Sequence, residues 1–273
     1  MVQGLSINTN VGAMVALEQL NLTNKKLQNT QLRITTGLKV NGPKDDAATF
    51  QIATRLRGDI AGTKAVGGAL ANGDSTVNVA ISAGKAIADL LTEMKAKVVQ
   101  ANQAGLDTAS RTALQNDFQA LRDQLETIVA TAEFNSTNLI FQSASELKVL
   151  STVDGSVISV SAQKMDTTTL TINASTLATS SGAATALTSI ETAITLVADK
   201  LAALGSTAKR IEVQTDFTTS LVNILTEGLG NLVDADLAQE SATLQALQIQ
   251  QQLGVQSLSI ANAGPQTILA LFQ

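Results

Sequence analysis

Between Asn231 and Gln273 the positions Leu237, Leu244, Gln251 and Leu258 fall seven apart, interleaved with Val233, Leu247, Gly254 and Ala261. That three-four alternation draws one apolar stripe along a helix. The remaining faces read as glutamines and small residues, Gln239, Gln245, Gln248, Gln250 and Gln252 among them. So long a stripe needs a partner, in the same chain or in another molecule. A second seam lies at the other end, where Ala13, Leu17, Leu20, Asn24, Leu27, Gln31, Ile34 and Leu38 alternate four and three apart. It resembles a coiled-coil seam with two polar positions, Asn24 and Gln31. Asn8, Thr9 and Asn10 are placed to cap this helix, and Gly37, Asn41, Gly42 and Pro43 are placed to end it.

The interior predicts further helices. Asp45 and Asp46 stand where a new helix begins. From there to about Gln103 the register is kept by Ala53, Leu56, Ile60, Gly67, Leu70, Val77, Ile81, Gly84, Ala88, Leu91 and Val98. Interior glycines cost up to about 1 kcal/mol each against alanine, so Gly58, Gly62, Gly67, Gly68, Gly73 and Gly84 read as sites of close approach. A turn over 102–108 leads to a third helix carrying Leu114, Phe118, Leu121, Leu125 and Ile128. Between about Glu133 and Ala184 the period changes. Residues 157–161 and 169–173 are short and β-prone, with Asp154-Gly155 as a hairpin signal. Helical period returns through Leu187, Ile190, Ile194, Val197, Leu201, Leu204, Ala208 and Ile211. Gly228 and Gly230 are expected to punctuate it before the terminal helix. The terminal seams are natural partners for each other.

Composition supports slender helix contacts over a thick core. Hydrophobic residues make up 44% of the 273 residues, aromatics only 2%, and the two prolines are Pro43 and Pro265. Alanine, leucine, valine and isoleucine must therefore do the packing. Net charge is −5 without a basic run, which gives a nucleic-acid role little support. No apolar run approaches the ~18 residues of a membrane span, and the first residues lack the features of an ordinary secretory signal. Export would then follow another route.

Catalytic chemistry has little to stand on. There is no histidine and no cysteine, which removes the commonest general base and the commonest metal ligands. Ser82/Lys85 and Ser206/Lys209 have nucleophile-pair spacing but lie in helical repeats rich in Ser, Ala and Lys. The run Gly58–Lys64 has the wrong order for a phosphate loop, and no strand precedes it. Asp234, Asp236 and Glu240 spread around helix turns, which suits a favourable charge near a helix start better than a cation site. Ser/Thr crowding marks 133–184 as an exposed surface; Thr167, Thr168, Thr169, Ser175, Thr176, Ser180 and Ser181 are its candidate O-linked sugar sites.

These residues resemble a family. INTNVGAMVALEQL (7–20) with RITTGLKVNGPKDDAATFQIATRLRGDI (33–60) is similar to the N-terminal signature of bacterial flagellins. Ile34 and Thr35 replace the usual Leu and Ser. DADLAQE (234–240), Gln248–Gln252 and SIANAGPQTILALFQ (259–273) resemble the C-terminal signature, and AEFNSTNLI (132–140) the link out of the third helix. The resemblance implies a mainly α filament subunit. It would have paired terminal helices at 1–43 and 231–273, a helical rod from 44–132 and 185–230, and a small β-hairpin module at 133–184. It further implies assembly through Leu17, Leu20, Leu27, Ile34, Leu237, Leu244, Leu247, Leu258 and Leu269. Other implied features are export through the flagellar type III apparatus, an export chaperone on the C-terminal helix and hook-associated junction and cap proteins at the filament ends. Location would be extracellular, and no cofactor, metal or catalytic activity would be involved. A hook–filament junction protein and a secreted surface-binding protein are the alternatives.

Overall fold

The computed structural model describes residues 9–269, with side chains to residue 263. Among them are α1 (Val11–Thr36), α2 (Ala47–Ala101), α3 (Thr108–Thr131), β1 (Glu133–Phe134), β2 (Thr137–Asn138), β3 (Leu147–Leu150), β4 (Val157–Val160), α4 (Ser180–Val233) and α5 (Leu237–Leu269). Helix starts follow the local chemistry. Asn10 Oδ1 accepts from Ala13 N at 3.1 Å to open α1, and Asp107 Oδ1 accepts from Ser110 N at 2.9 Å to open α3. Asp46 accepts from the amides of Ala48 and Thr49 at the head of α2. The Thr49 hydroxyl and amide hold the Asp46 carboxyl below its ordinary range, as the Ser110 amide and hydroxyl do for Asp107. α1 stops at Gly37, whose left-handed φ of 72° lets its N–H reach Arg33 O.

The contacts divide the chain into two compact units, one formed by the residues up to Gly58 and from Leu225 onward, the other by 59–224. In the second, α2 contributes Leu70, Ile87, Leu91 and Met94 to the core, α3 Phe118 and Leu125, and α4 Ile190 and Val197. The interior glycines meet three kinds of surroundings. A methyl added at Gly84 would lie 2.8 Å from Leu201 Cδ2 of α4, so two helices do approach there. Added at Gly73 or Gly62 it would instead meet Val149 at 2.5 Å or Val153 at 3.1 Å, both in the hairpin region. Gly58 and Gly68 face open space.

β3 and β4 pair antiparallel with Leu147 opposite Val160, and Gly155, at φ 90°, sits in the connecting turn. The hairpin signal at Asp154-Gly155 thus marks a real turn. Residues 169–173, expected as a strand, are not one. Asp166 takes the Thr169 amide and hydroxyl, and the amides of Leu170, Thr171 and Ile172 return to carbonyls three to five residues earlier. Local Asp/Thr bonding wins over strand pairing, and Thr171 adopts φ 59°. The alternation was nonetheless a burial signal, because Leu170 and Ile172 enter the core of this unit with Met165 and Leu177. A second, unexpected hairpin joins β1 to β2 through Asn135 and Ser136, both at positive φ.

In the first unit Val40, Ala53 and Val233 form a small core with Leu38, Phe50 and Leu229. α4 does not break at Gly228 or Gly230; it continues to Val233. Glycine weakens a helix but leaves its amide in the ladder. The break comes where the Val233 carbonyl is taken by Lys39 N at 2.7 Å and Val40 N at 3.3 Å, beside a bond from Ala235 N to Gly37 O. Val233 therefore ends α4 rather than joining the stripe of α5.

Candidate assembly interface

α1 and α5 are each other's main neighbour in the first unit. Their facing stripes keep the heptad spacing. On α1 the less exposed positions are Ala13, Ala16, Leu20, Thr23, Asn24, Leu27, Thr30 and Ile34; on α5 they are Glu240, Leu244, Leu247, Gln251, Gly254, Leu258 and Ala261. Polar contacts punctuate the seam. Asn10 Nδ2 donates to Ala261 O at 2.7 Å, Gln251 Nε2 to Asn24 Oδ1 at 2.8 Å, and Arg33 pairs with Glu240 at 3.0 Å. A methyl added at Gly254 would lie 3.2 Å from Leu20 Cδ1, so Leu20 packs closely over the space this glycine leaves.

The residues read as assembly contacts separate into two groups. Leu20, Leu27, Ile34, Leu244 and Leu258 are half-buried in the seam within the chain, and Leu247, at 7% exposure, is buried there. Leu247 consequently offers no free surface to a second molecule. Leu17 and Leu237 face outward. The side chain of Leu269 lies outside the described residues.

Sequence reading missed most of the outward apolar surface. On α1 it comprises Val11, Met14, Val15, Leu22 and Leu32; on α5 it comprises Ile249, Leu253, Val255 and Ile260, with Leu253 63% and Ile260 65% exposed. Ile249, Leu253 and Ile260 recur four and seven apart, a second stripe that the stronger first one masks. Each terminal helix is thus apolar on two faces, and the fold of one chain satisfies one of them.

The hydroxyl candidates also divide. Thr167 is buried, and its hydroxyl donates to Glu126 Oε1 at 2.6 Å, so it is not a surface acceptor for a sugar. Thr169 is half-buried with its hydroxyl on Asp166. Thr168, Thr176, Ser180 and Ser181 are exposed, and Ser175 is half-buried. Among the described residues no group of three acidic, His or Cys side chains could hold a metal, and no helix is long and apolar enough to cross a membrane.

Residues 7–145 match the family model described as the bacterial flagellin N-terminal helical region, and residues 187–272 match that of the C-terminal helical region. The chain is 43% identical to flagellin FljK of Caulobacter vibrioides over 98% of each protein. It is 34% identical to a flagellin of Brucella melitensis, over 98% of this chain and 99% of that one. Among solved structures it resembles a flagellin of Bacillus cereus, at a TM-score of 0.50 and 22% identity, over 54% of this chain and 86% of that one.

Proposed function

The chain belongs to the bacterial flagellin family and is a subunit of the flagellar filament, and we propose that it polymerises through the outward faces of α1 and α5. The observation that carries this reading is the second apolar stripe on each terminal helix, left uncovered once the first has been used within the chain. Side chains such as Leu253 and Ile249, 63% and 58% exposed, gain about 1–2 kcal/mol each when buried. Two different faces make a heterologous contact, and such a contact, when its rotation does not close, builds a helical filament.

Several finer assignments go with this. The subunit leaves the cell through the flagellar type III apparatus, escorted by a chaperone on its C-terminal helix. Hook-associated junction and cap proteins meet it at the filament ends. With neither histidine nor cysteine in its sequence, it works by shape rather than catalysis. The residues up to Gly58 and from Leu225 onward form the inner filament domain and 59–224 the rod, whose segment 133–184 packs Leu170 and Ile172 into the core and leaves some of its hydroxyls exposed. There the exposed hydroxyls of Thr168, Thr176, Ser180 and Ser181 are acceptors for O-linked sugar.

Seeded elongation tests the reading. Purified subunit lengthens filament seeds, whereas a surface-binding module would stay monomeric. Leu253→Asp abolishes elongation and leaves the melting of the 59–224 unit unchanged, because an unpaired carboxylate is costly only where it is buried. Normal elongation by Leu253→Asp contradicts the proposed contact.

A further inference from the structure

Pro265 stands inside α5. Its nitrogen carries no hydrogen, so the carbonyl four residues earlier, that of Ala261, loses its donor within the helix. The donor comes from the other end of the chain. Asn10 Nδ2 bonds to Ala261 O while Asn10 Oδ1 caps Ala13 N. One amide closes both the head of α1 and the gap in α5, which requires these two points to lie opposite each other. An aspartate would cap α1 equally well, but it has no N–H to give.

Two more polar markers stand at other heights of the seam, Asn24 with Gln251 and Arg33 with Glu240, whose side chain is 15% exposed. A purely leucine seam is nearly indifferent to a slide of seven residues, since leucine again faces leucine; single polar positions remove that freedom. A slide here would strand the Ala261 carbonyl, Asn24 and Gln251, and an unmade bond at a shielded group costs more than an average bond contributes. We propose that Asn10, supported by Asn24 and Gln251, specifies the one register in which α1 and α5 pair. The inference rests on the assembly reading above. Register decides which outward side chains of the two helices stand side by side, and so which surface the next copy meets. Asn10 is a positioning residue acting through α5.

A substitution cycle in the full chain tests this. Asn10→Asp keeps the cap and removes the donor, raising the critical concentration for seeded elongation about fivefold to tenfold. In a Pro265→Ala chain the restored amide serves Ala261, and adding Asn10→Asp changes that concentration by less than about twofold. Equal effects in the two backgrounds overturn the coupling. Register is read directly with paired cysteines, since the chain has none. Leu20→Cys with Gly254→Cys forms a disulfide, in subunits or in filaments. Leu20→Cys with Ala261→Cys, displaced by one heptad, does not, until Asn10→Asp, Asn24→Leu and Gln251→Leu are added. Equal cross-linking by both pairs without those additions overturns the single register. No displaced cross-link after them overturns the part given to Asn10, Asn24 and Gln251. A subunit that cross-links in register yet never elongates seeds overturns the assembly reading and leaves the register standing.

Discussion

Gly68 and Gly73 stand five residues apart in α2 and meet different surroundings. Nothing lies within 4 Å of a methyl at Gly68, whereas at Gly73 it would collide with both γ-methyls of Val149, at 2.5 and 2.8 Å. Gly68→Ala therefore stabilises the chain by about 0.5–1 kcal/mol through helix propensity. Gly73→Ala destabilises it by about 1–3 kcal/mol, because the hairpin must move. Denaturant unfolding of the two variants measures both, and unchanged stability in Gly73→Ala would contradict the seating of β3 on α2. The sequence announces glycines that a helix would rather lack, but it does not separate a crowded one from an idle one. Asn10 shows the same limit. Its capping role is legible from its position before an apolar period, whereas its bond to Ala261, 251 residues away, depends on which helices pair.

At the scale of elements, helices are legible where their period is long, and that period places Leu20, Leu27, Leu244, Leu247 and Leu258 in the α1–α5 seam. What stayed hidden was the second face of each helix. Two stripes on one helix blur each other's period, so Ile249 and Leu253 were lost among the glutamines. The segment from Ser161 to Thr179 was harder still. Its alternating Leu170 and Ile172 look like a strand, but Asp166 and its threonines fold it back on itself, with Thr167 bonded to Glu126 of α3 and Arg122 to the carbonyl of Asn173. This arrangement restricts modification. Peptide mapping of protein taken from filaments should find hydroxyl-linked sugar on Thr168, Thr176, Ser180 or Ser181 and none on Thr167. Sugar on Thr167 would mean that this segment leaves α3 before it is modified.

At the scale of the whole molecule, net charge divides unevenly between the two units. Residues 59–224 hold sixteen acidic and eleven basic side chains, while the remaining chain holds seven of each. The net charge of −5 thus belongs entirely to the second unit, and no ionisable side chain occurs from Ser241 to Gln273. The first unit, balanced in charge and apolar on its outward faces, can associate with its like without net repulsion. This division fits the proposed association through α1 and α5. A helical reconstruction of the filament, at a resolution that places side chains, tests the account most directly. Ile249, Leu253 and Ile260 of α5 are expected to be buried against a neighbouring copy while Leu247 and Leu20 remain in the seam of their own chain. Ile249, Leu253 and Ile260 facing water in the assembled filament would contradict it.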